Sequence, residues 1–500
     1  MYYVQKTSSL SKLILVILGG VFFLGFLAII IIVSVYYNAY EYPNDYAIVI
    51  DAGSSGTRTY VYTWKSGMSA YRGDNVTVSE LLDCSRNLGI DKLTSKDNTI
   101  LYFNDCLQNA SKVIPHERKN RAYIILAATA GMRLLDITNT NQSNQILAYI
   151  RDHFSKSEFL FKSNDQVKII DGKDEGLFAW ISANYFANKF LQNTDLESTI
   201  GVLDLGGAST QISFLPSAQG ENASTLTKYY KKLRIYGNDY QTYSNSFLCW
   251  GTNQFLLIYQ TYLILKNNYS SQINTSCLNS NNSLNITTST FSDSPCSNGK
   301  IFKFNQNVDL AKLKQNNFYV FNGISNPDEC NNELTGLFPR STCPYGDGKC
   351  TFNDVYLPKI TSKNKFYAIS SYYFQMANME QLSGKSLKKN FTSYSSETKR
   401  ICSLTYNQLK TINSQSKSPI SDDYLNTTCF LNLYIIKLFS NYRINSFDNV
   451  EIVRRVNNYT VGWTLGHMIE LINRENFLPS EEPPRKLNKE VFIPTVVISS

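Results

Sequence analysis

Two aspartates, Asp51 and Asp204, each end a short apolar run and open a turn of small residues. The first stretch reads Val49-Ile-Asp-Ala-Gly-Ser-Ser-Gly-Thr57 and the second Val202-Leu-Asp-Leu-Gly-Gly-Ala-Ser-Thr210. They superpose without a gap: apolar pair, Asp, any residue, Gly, three small residues, Thr. Alternation resumes after each turn, at Tyr60 and Tyr62 and at Ile212 and Phe214, so each turn joins two strands as a hairpin. Glycine lets a backbone approach an anion closely, and the turn's N–H groups and hydroxyls can hold phosphate oxygens. One glycine-rich hairpin is a weak signal, but two in register imply a duplicated core. Facing each other across a cleft, they would grip a polyphosphate from both sides. Asp51 and Asp204 would then hold a divalent cation through its waters, because hard cations keep several waters near phosphates.

Between the hairpins lie two further candidates. Tyr123–Ala128 reads as a buried strand, which puts Thr129 at its carboxyl end, where open α/β sheets bind ligands. Phe178, Ile181 and Tyr185 recur at helical spacing, so Asp174 and Glu175 fall in a helix's first turn, where carboxylates suit the dipole. A carboxylate beside a bound phosphate can act as general base for water.

The elements that must position these groups are legible in outline. Residues 46–171 read as one α/β unit, with a strand at 167–170 and a helix carrying Ile146, Leu147, Ile150 and Phe154 on one face, capped by Ser143. Residues 267–298 are rich in Asn, Ser and Thr and read as a stapled loop. Residues 366–374 form an aromatic, strand-like run, read first as sheet packing and second as a stacking wall for a nucleobase. Residues 461–472 read as a tight helix with close-packing glycines, and His467 as a packing or surface residue, since no second His or Cys lies at ligand spacing.

At 500 residues, the chain is long enough for two domains. Its net charge of +8 is dispersed, with no basic block of the kind that binds nucleic acid. Leu13 to Val35 is uncharged and apolar, long enough to span a bilayer. Lys6 and Lys12 precede it, and Glu41 and Asp45 follow, so a cytosolic tail (1–12), a signal anchor (13–36) and an outside or lumenal remainder are expected. No second span is expected in the Pro-broken residues 491–500. The 10 cysteines form no CxxC pair, which favours disulfides over zinc. Sequons at Asn75, Asn109, Asn141, Asn222, Asn268, Asn274, Asn281, Asn285, Asn390, Asn426 and Asn458 agree with that compartment, though only part of the set need be glycosylated.

Five segments carry a family resemblance: Asp51-Ala-Gly-Ser-Ser-Gly-Thr-Arg58, Ala127-Ala-Thr-Ala-Gly-Met-Arg133, Asp174-Glu-Gly-Leu-Phe-Ala-Trp180, Asp204-Leu-Gly-Gly-Ala-Ser-Thr-Gln211 and Gly462-Trp-Thr-Leu-Gly466. In this order, they resemble the apyrase-conserved regions of the ecto-nucleoside triphosphate diphosphohydrolases, the GDA1/CD39 apyrases. The resemblance implies an α/β, two-lobed actin/Hsp70-like fold built from ribonuclease H-like halves with the active site between them. Lobe I would comprise 46–171 plus 454–486, and lobe II 172–453. It also implies hydrolysis of the terminal phosphate of nucleoside tri- and diphosphates with Ca²⁺ or Mg²⁺. By carry-over, Glu175 activates the attacking water, Ser209 and Gln211 position it, and Thr129 binds the terminal phosphate or that water. Ser54, Ser55, Gly56 and Thr57, with Gly206, Gly207 and Ala208, cradle the phosphates, and Asp51 and Asp204 orient the metal's waters. Tyr373 and Trp463 are the base-side candidates. The implied disulfides are Cys84–Cys106, Cys249–Cys296, Cys277–Cys330, Cys343–Cys350 and Cys402–Cys429.

The chain departs from the surface enzymes in lacking a recognisable second span and in carrying His467 where a Tyr is usual. A Golgi or vacuolar membrane therefore stays open beside the plasma membrane. So do a lumenal nucleoside diphosphatase and an inactive glycoprotein on the same fold, and a homo-oligomer is compatible with all of these. A kinase or polyphosphatase of the same fold is the remaining alternative. A cytosolic kinase would need neither anchor nor paired cysteines, and no acceptor site is identifiable.

Overall fold

The computed structural model describes residues 4–38, 44–190, 198–216, 224–338, 343–457, 459–474 and 477–478. The expectations for Glu41, for the sequons at Asn222 and Asn458 and for residues 479–500 lie outside these.

The first sheet contains β1 (Asn44–Ala52), β2 (Thr57–Lys65), β3 (Ser79–Arg86), β4 (Tyr123–Ala128) and β5 (Val167–Ile169), in the order β3-β2-β1-β4-β5. β1 pairs antiparallel with β2 and parallel with β4. β1 can be a continuous apolar run because helices cover both of its faces. Ile48 and Ile50 join the core beneath the helices Lys96–Val113 and Thr140–Ser155, while Ala47 and Val49 pack toward Gly172–Phe186 and Trp463–Ile472.

The second unit repeats this plan. It runs through β6 (Ile200–Leu205), β7 (Ser209–Phe214), β8 (Tyr230–Ile235) and β9 (Asn238–Leu248). An insertion follows, in which β10 (Gln272–Thr275), β11 (Ser283–Thr287) and β12 (Phe318–Gly323) form their own small sheet. The unit closes with β13 (Lys365–Ser370) and β14 (Val450–Ile452), giving the order β14-β13-β6-β7-β9-β8. β6 is antiparallel to β7, β7 to β9, and β6 is parallel to β13, as β13 is to β14. Apart from the added edge strand β8, this matches the first sheet strand for strand and sense for sense. The molecule is thus a duplicated α/β fold of the two-lobed actin/Hsp70-like kind.

Two helices join the units. Gly172–Phe186 lies on the second sheet, where a Cβ on Gly176 would come 2.7 Å from the Ser213 hydroxyl. Trp463–Ile472 crosses it so closely that a Cβ on Gly466 would sit 1.8 Å from the Phe178 carbonyl oxygen. The Gly466 N–H donates to the Ser182 hydroxyl at 2.7 Å, and the His467 ring stacks on Phe178 with centroids 4.5 Å apart. His467 is therefore a packing residue, and burial lowers its pKa to about 3.

The structure corrects several expectations. Asn139, not Ser143, caps the Thr140–Ser155 helix, and Ser143 is buried inside it. The aromatic run 366–374 divides at Ser370 into strand β13 and the Ser371–Ser383 helix. Residues 267–298 are not merely a loop, since they contribute β10 and β11, which flank the later strand β12. All five implied disulfides are present. The helix Val4–Asn38 contains a 25-residue segment, Leu10–Ser34, long and apolar enough to cross a membrane.

The helix crossing gives a direct test. Gly466→Ala should destabilise the protein by about 2 kcal/mol or more, because the backbone it meets cannot yield without strain. Gly462→Ala, into open space, should cost less than about 1 kcal/mol. Thermal unfolding of the two variants checks the contrast.

Candidate active site

Both hairpin turns close the same way. The Gly53 N–H donates to the Gly56 carbonyl at 2.9 Å, and the Gly206 N–H to the Ser209 carbonyl at 3.0 Å. A Cβ on Gly207 would lie 3.2 Å from the Ser54 hydroxyl, so the turns of the two units face each other at close range. The strand register places Arg58 opposite Asp51 in the first hairpin and Gln211 opposite Asp204 in the second.

Asp51 and Asp204 share one crevice. Asp204 is buried and Asp51 nearly so, and each charge acts on the carboxylates around it. Burial chiefly raises the Asp51 pKa to about 6; the Arg58 guanidinium, 3.6 Å away, opposes this, and Asp204 adds to it. The Trp463 indole also lies within hydrogen-bonding reach of Asp51. The Asp51 Oδ1 atom is buried without a hydrogen-bond partner. Burial likewise raises the Asp204 pKa, against the Ser370 hydroxyl, Arg58 and the Leu205 N–H.

Glu175 completes the acidic set from the first turn of the Gly172–Phe186 helix, whose cap is Asp171. Its Oε2 accepts from Arg133 at 2.8 Å and from the Gln211 amide at 3.4 Å. That amide also donates to Ser209 at 2.7 Å and Ser246 at 3.1 Å, while Arg133 reaches Ser209 at 3.1 Å. Burial is the main cause of the Glu175 pKa rising to about 7; Arg133 opposes it, and Asp204 and Asp51 reinforce it. Glycine at 172 is required by proximity, since a Cβ there would meet both Ser246 and Arg133 within 2.4 Å.

Thr129 follows β4 directly, and its N–H donates to the Ala52 carbonyl at 3.1 Å, which ties it to the first turn. Beside the turns opens a cavity of about 450 Å³ lined by Ser54, Gly207, Ala208, Asn253, Asp91 and Thr138 among others. The structure thus gathers Asp51, Asp204, Glu175, Ser209 and Gln211 with both turns. Trp463 is buried against Asp51 and does not line that cavity. Tyr373 stands apart from it as well, on the Ser371–Ser383 helix, with the Lys388 ammonium 5.0 Å over its ring. Arg133 and Ser246 were not singled out from the sequence. Arg133 lay inside a quoted segment, but Ser246 carries no local signal and is found only through its register opposite Gln211.

Fold and site define a two-lobed nucleoside phosphatase with its acidic centre between duplicated halves. The chain belongs to the GDA1/CD39 (nucleoside phosphatase) family, whose profile matches residues 39–490. It is 30% identical over 490 residues to ectonucleoside triphosphate diphosphohydrolase 1 of Mus musculus, covering 95% of this chain and 89% of that one. It is also 30% identical over 470 residues to ectonucleoside triphosphate diphosphohydrolase 3 of Homo sapiens, covering 90% and 82%. Its fold is that of a nucleoside triphosphate hydrolase from Neospora caninum, with a TM-score of 0.61 at 13% identity over 92% of this chain and 97% of that one.

The raised Glu175 pKa has a stability consequence with a definite sign. Because the folded value, about 7, exceeds the ordinary glutamate value of 4.5, the unfolded chain releases this proton first as pH rises. The metal-free protein should therefore lose stability between about pH 4.5 and pH 7, with Glu175 contributing on the order of 3 kcal/mol of that loss. Denaturant titrations across this range should show the slope, and Glu175→Gln should flatten it.

Proposed function

We propose that this chain is a membrane-anchored apyrase that removes the terminal phosphate of nucleoside tri- and diphosphates outside the cytosol. The observation that carries the reading is the meeting of three carboxylates, Asp204 and Glu175 buried and Asp51 nearly so, with two facing phosphate-shaped turns. The relatives named above act on nucleoside triphosphates by name, which supports the reading.

In the proposed mechanism, Ser54, Ser55, Gly56 and Thr57 hold the phosphates from one side, and Gly206, Gly207 and Ala208 hold them from the other. The adjoining cavity falls in the range of about 300–1,000 Å³ typical of small-molecule sites. Glu175 takes a proton from the attacking water, which Ser209 and Gln211 hold in line, while Thr129 steadies the terminal phosphate. A pKa near neutrality suits a base that must be partly ionised yet basic enough to accept a proton. Phosphoryl transfer asks little covalent work of the protein, so positioning and charge neutralisation carry most of the rate.

Asp51 and Asp204 would hold a Ca²⁺ or Mg²⁺ ion through its waters. The orphaned Asp51 Oδ1 and two mutually repelling carboxylates, only partly offset by Arg58, fit a hydrated dication. Bound there, the ion supplies charge neutralisation for the phosphates. Among the described residues no group of three or more His, Cys, Asp or Glu side chains is placed to ligate a metal directly. Trp463 is assigned to positioning Asp51, and Tyr373 remains the base-side candidate.

The Leu10–Ser34 segment, with Lys6 before it and the disulfides after it, supports a type II topology with the nucleotidase outside or in a lumen. Exposed sequon asparagines at 75, 141, 268, 274, 281, 285 and 390 agree with it. Lobe I is taken as 46–171 with 454–486, and lobe II as 172–453.

Phosphate release from ATP and ADP should depend on divalent cation and vanish with chelator; chelator-insensitive release would sink the proposal. Glu175→Gln should lower turnover by about 10²–10⁴-fold while nucleotide binding stays measurable. Trp463→Phe should weaken activity equally for purine and pyrimidine substrates; a base-selective loss would return Trp463 to the base pocket.

A further inference from the structure

The third strand of each unit puts a serine on the same line. In the first unit the register sets Arg58 opposite Asp51 and Ser85 opposite Arg58. In the second it sets Gln211 opposite Asp204 and Ser246 opposite Gln211. Residues directly opposite on antiparallel strands share a face, with Cβ atoms about 4.5–5.5 Å apart. The two serines hold one place in the fold but put it to different use. Ser85 is exposed, and its hydroxyl donates to Asp83 at 3.4 Å. Ser246 is half-buried, and its hydroxyl accepts from the Gln211 amide at 3.1 Å.

An ionised carboxylate only accepts hydrogen bonds, so the end of the Gln211 amide that faces Glu175 is its NH₂ group. That group has two protons and three acceptors in reach: Ser209 at 2.7 Å, Ser246 at 3.1 Å and Glu175 at 3.4 Å. The two serines take the shorter bonds, and the carboxylate is left with the longest. Ser246 cannot retreat toward the helix beside it, where a Cβ on Gly172 would come 2.2 Å from its hydroxyl oxygen. The next pair along the same two strands holds that helix. Ser213 stands opposite Ser244 with the hydroxyls 2.6 Å apart, and Ser244 donates to the Lys173 carbonyl at 2.6 Å, two residues before Glu175. β9 therefore anchors the helix of the base with Ser244 and meets the Gln211 amide with Ser246.

We infer that Ser246 is a positioning residue for Gln211, whose amide it holds beside Ser209 and keeps from turning onto Glu175, so that amide and carboxylate both stay available to the attacking water. Without the Ser246 hydroxyl, the freed N–H has the Glu175 carboxylate as its remaining acceptor. Turning there would take the amide out of line and tie up the base. Ser246 touches no substrate in this assignment and acts through Gln211. The inference rests on the nucleotidase reading above, since that reading gives Gln211 a water to hold.

The test is a double-mutant cycle on the full chain in detergent micelles, read as phosphate release from ATP with Ca²⁺. It compares the parent, Ser246→Ala, Gln211→Ala and the double variant, with Ser85→Ala as the matching change in the other unit. Ser246→Ala should lower kcat by about fivefold or more, the size expected of one neutral hydrogen bond. Its KM should stay within about twofold of the parent, because the lost contact is not to substrate. With Gln211→Ala already in place, the same change should alter kcat by less than about twofold, because no amide remains to be held. Ser85→Ala should leave kcat unchanged. An unchanged kcat in Ser246→Ala would overturn the inference, as would a rise in KM alone or an equal loss in Ser85→Ala. So would equal losses with and without Gln211, which would trace the effect to general damage to the fold. A parent that releases no phosphate would instead overturn the nucleotidase reading, and the inference with it.

Discussion

Three carboxylates brought together with little exposure to solvent are the constraint on which the site depends. Asp51, Asp204 and Glu175 each lose hydration, and they repel one another. Burial of an unpaired charge is among the costliest features a fold can carry. The compensation present is partial: one guanidinium each for Asp51 and Glu175, and single hydroxyl and N–H groups for Asp204. The remaining imbalance leaves the centre electrostatically short of positive charge. A polyphosphate alone would worsen this, whereas a polyphosphate arriving with a dication would relieve it. The same imbalance that weakens the free protein therefore favours the loaded one.

Duplication supplies the geometry, and divergence supplies the chemistry. The two turns share a closing hydrogen bond and an acid at the same place in the hairpin. Opposite those acids, however, stand different residues. Arg58 offsets the Asp51 charge, whereas Gln211 turns to Ser209, Ser246 and Glu175 and builds the place for a water. Glu175 itself heads a helix joined to the second sheet. A symmetric cradle thus carries an asymmetric reaction: both sides grip, and one side activates.

The sequence announced what is local. Glycine spacing, an acid at a strand's end and a helical repeat after Glu175 depend on neighbours within about ten residues, so hairpins, strands and the first turn of the helix were readable. Contacts set by tertiary structure were not. Ser246 reaches the site only because β9 pairs antiparallel with β7 and sets it opposite Gln211. Arg133 gains its role from where the helix after β4 points. The run 366–374 misled because its aromatic residues suit a strand and a buried helix equally, and the break at Ser370 is a backbone conformation that composition does not encode. The cysteine partners needed the family resemblance, since spacing alone admits many pairings.

The helix crossing at Gly466 ties these parts together. Trp463 lies one turn before Gly466 on one helix, and Glu175 lies one turn before Phe178 on the other. Where Gly466 meets the Phe178 backbone, the two helices touch backbone to backbone, so no side chain intervenes to adjust their spacing. Trp463 reaches toward Asp51 from one helix, and Glu175 faces Ser209 and Gln211 from the other. A separation set at a dry joint one turn away thereby fixes the distance between the acid that meets the cation and the base that meets the water. An error of about 1 Å in such a distance can cost on the order of 10²-fold in rate. The glycines of this helix pair are accordingly as much a part of the active site as the carboxylates they set apart.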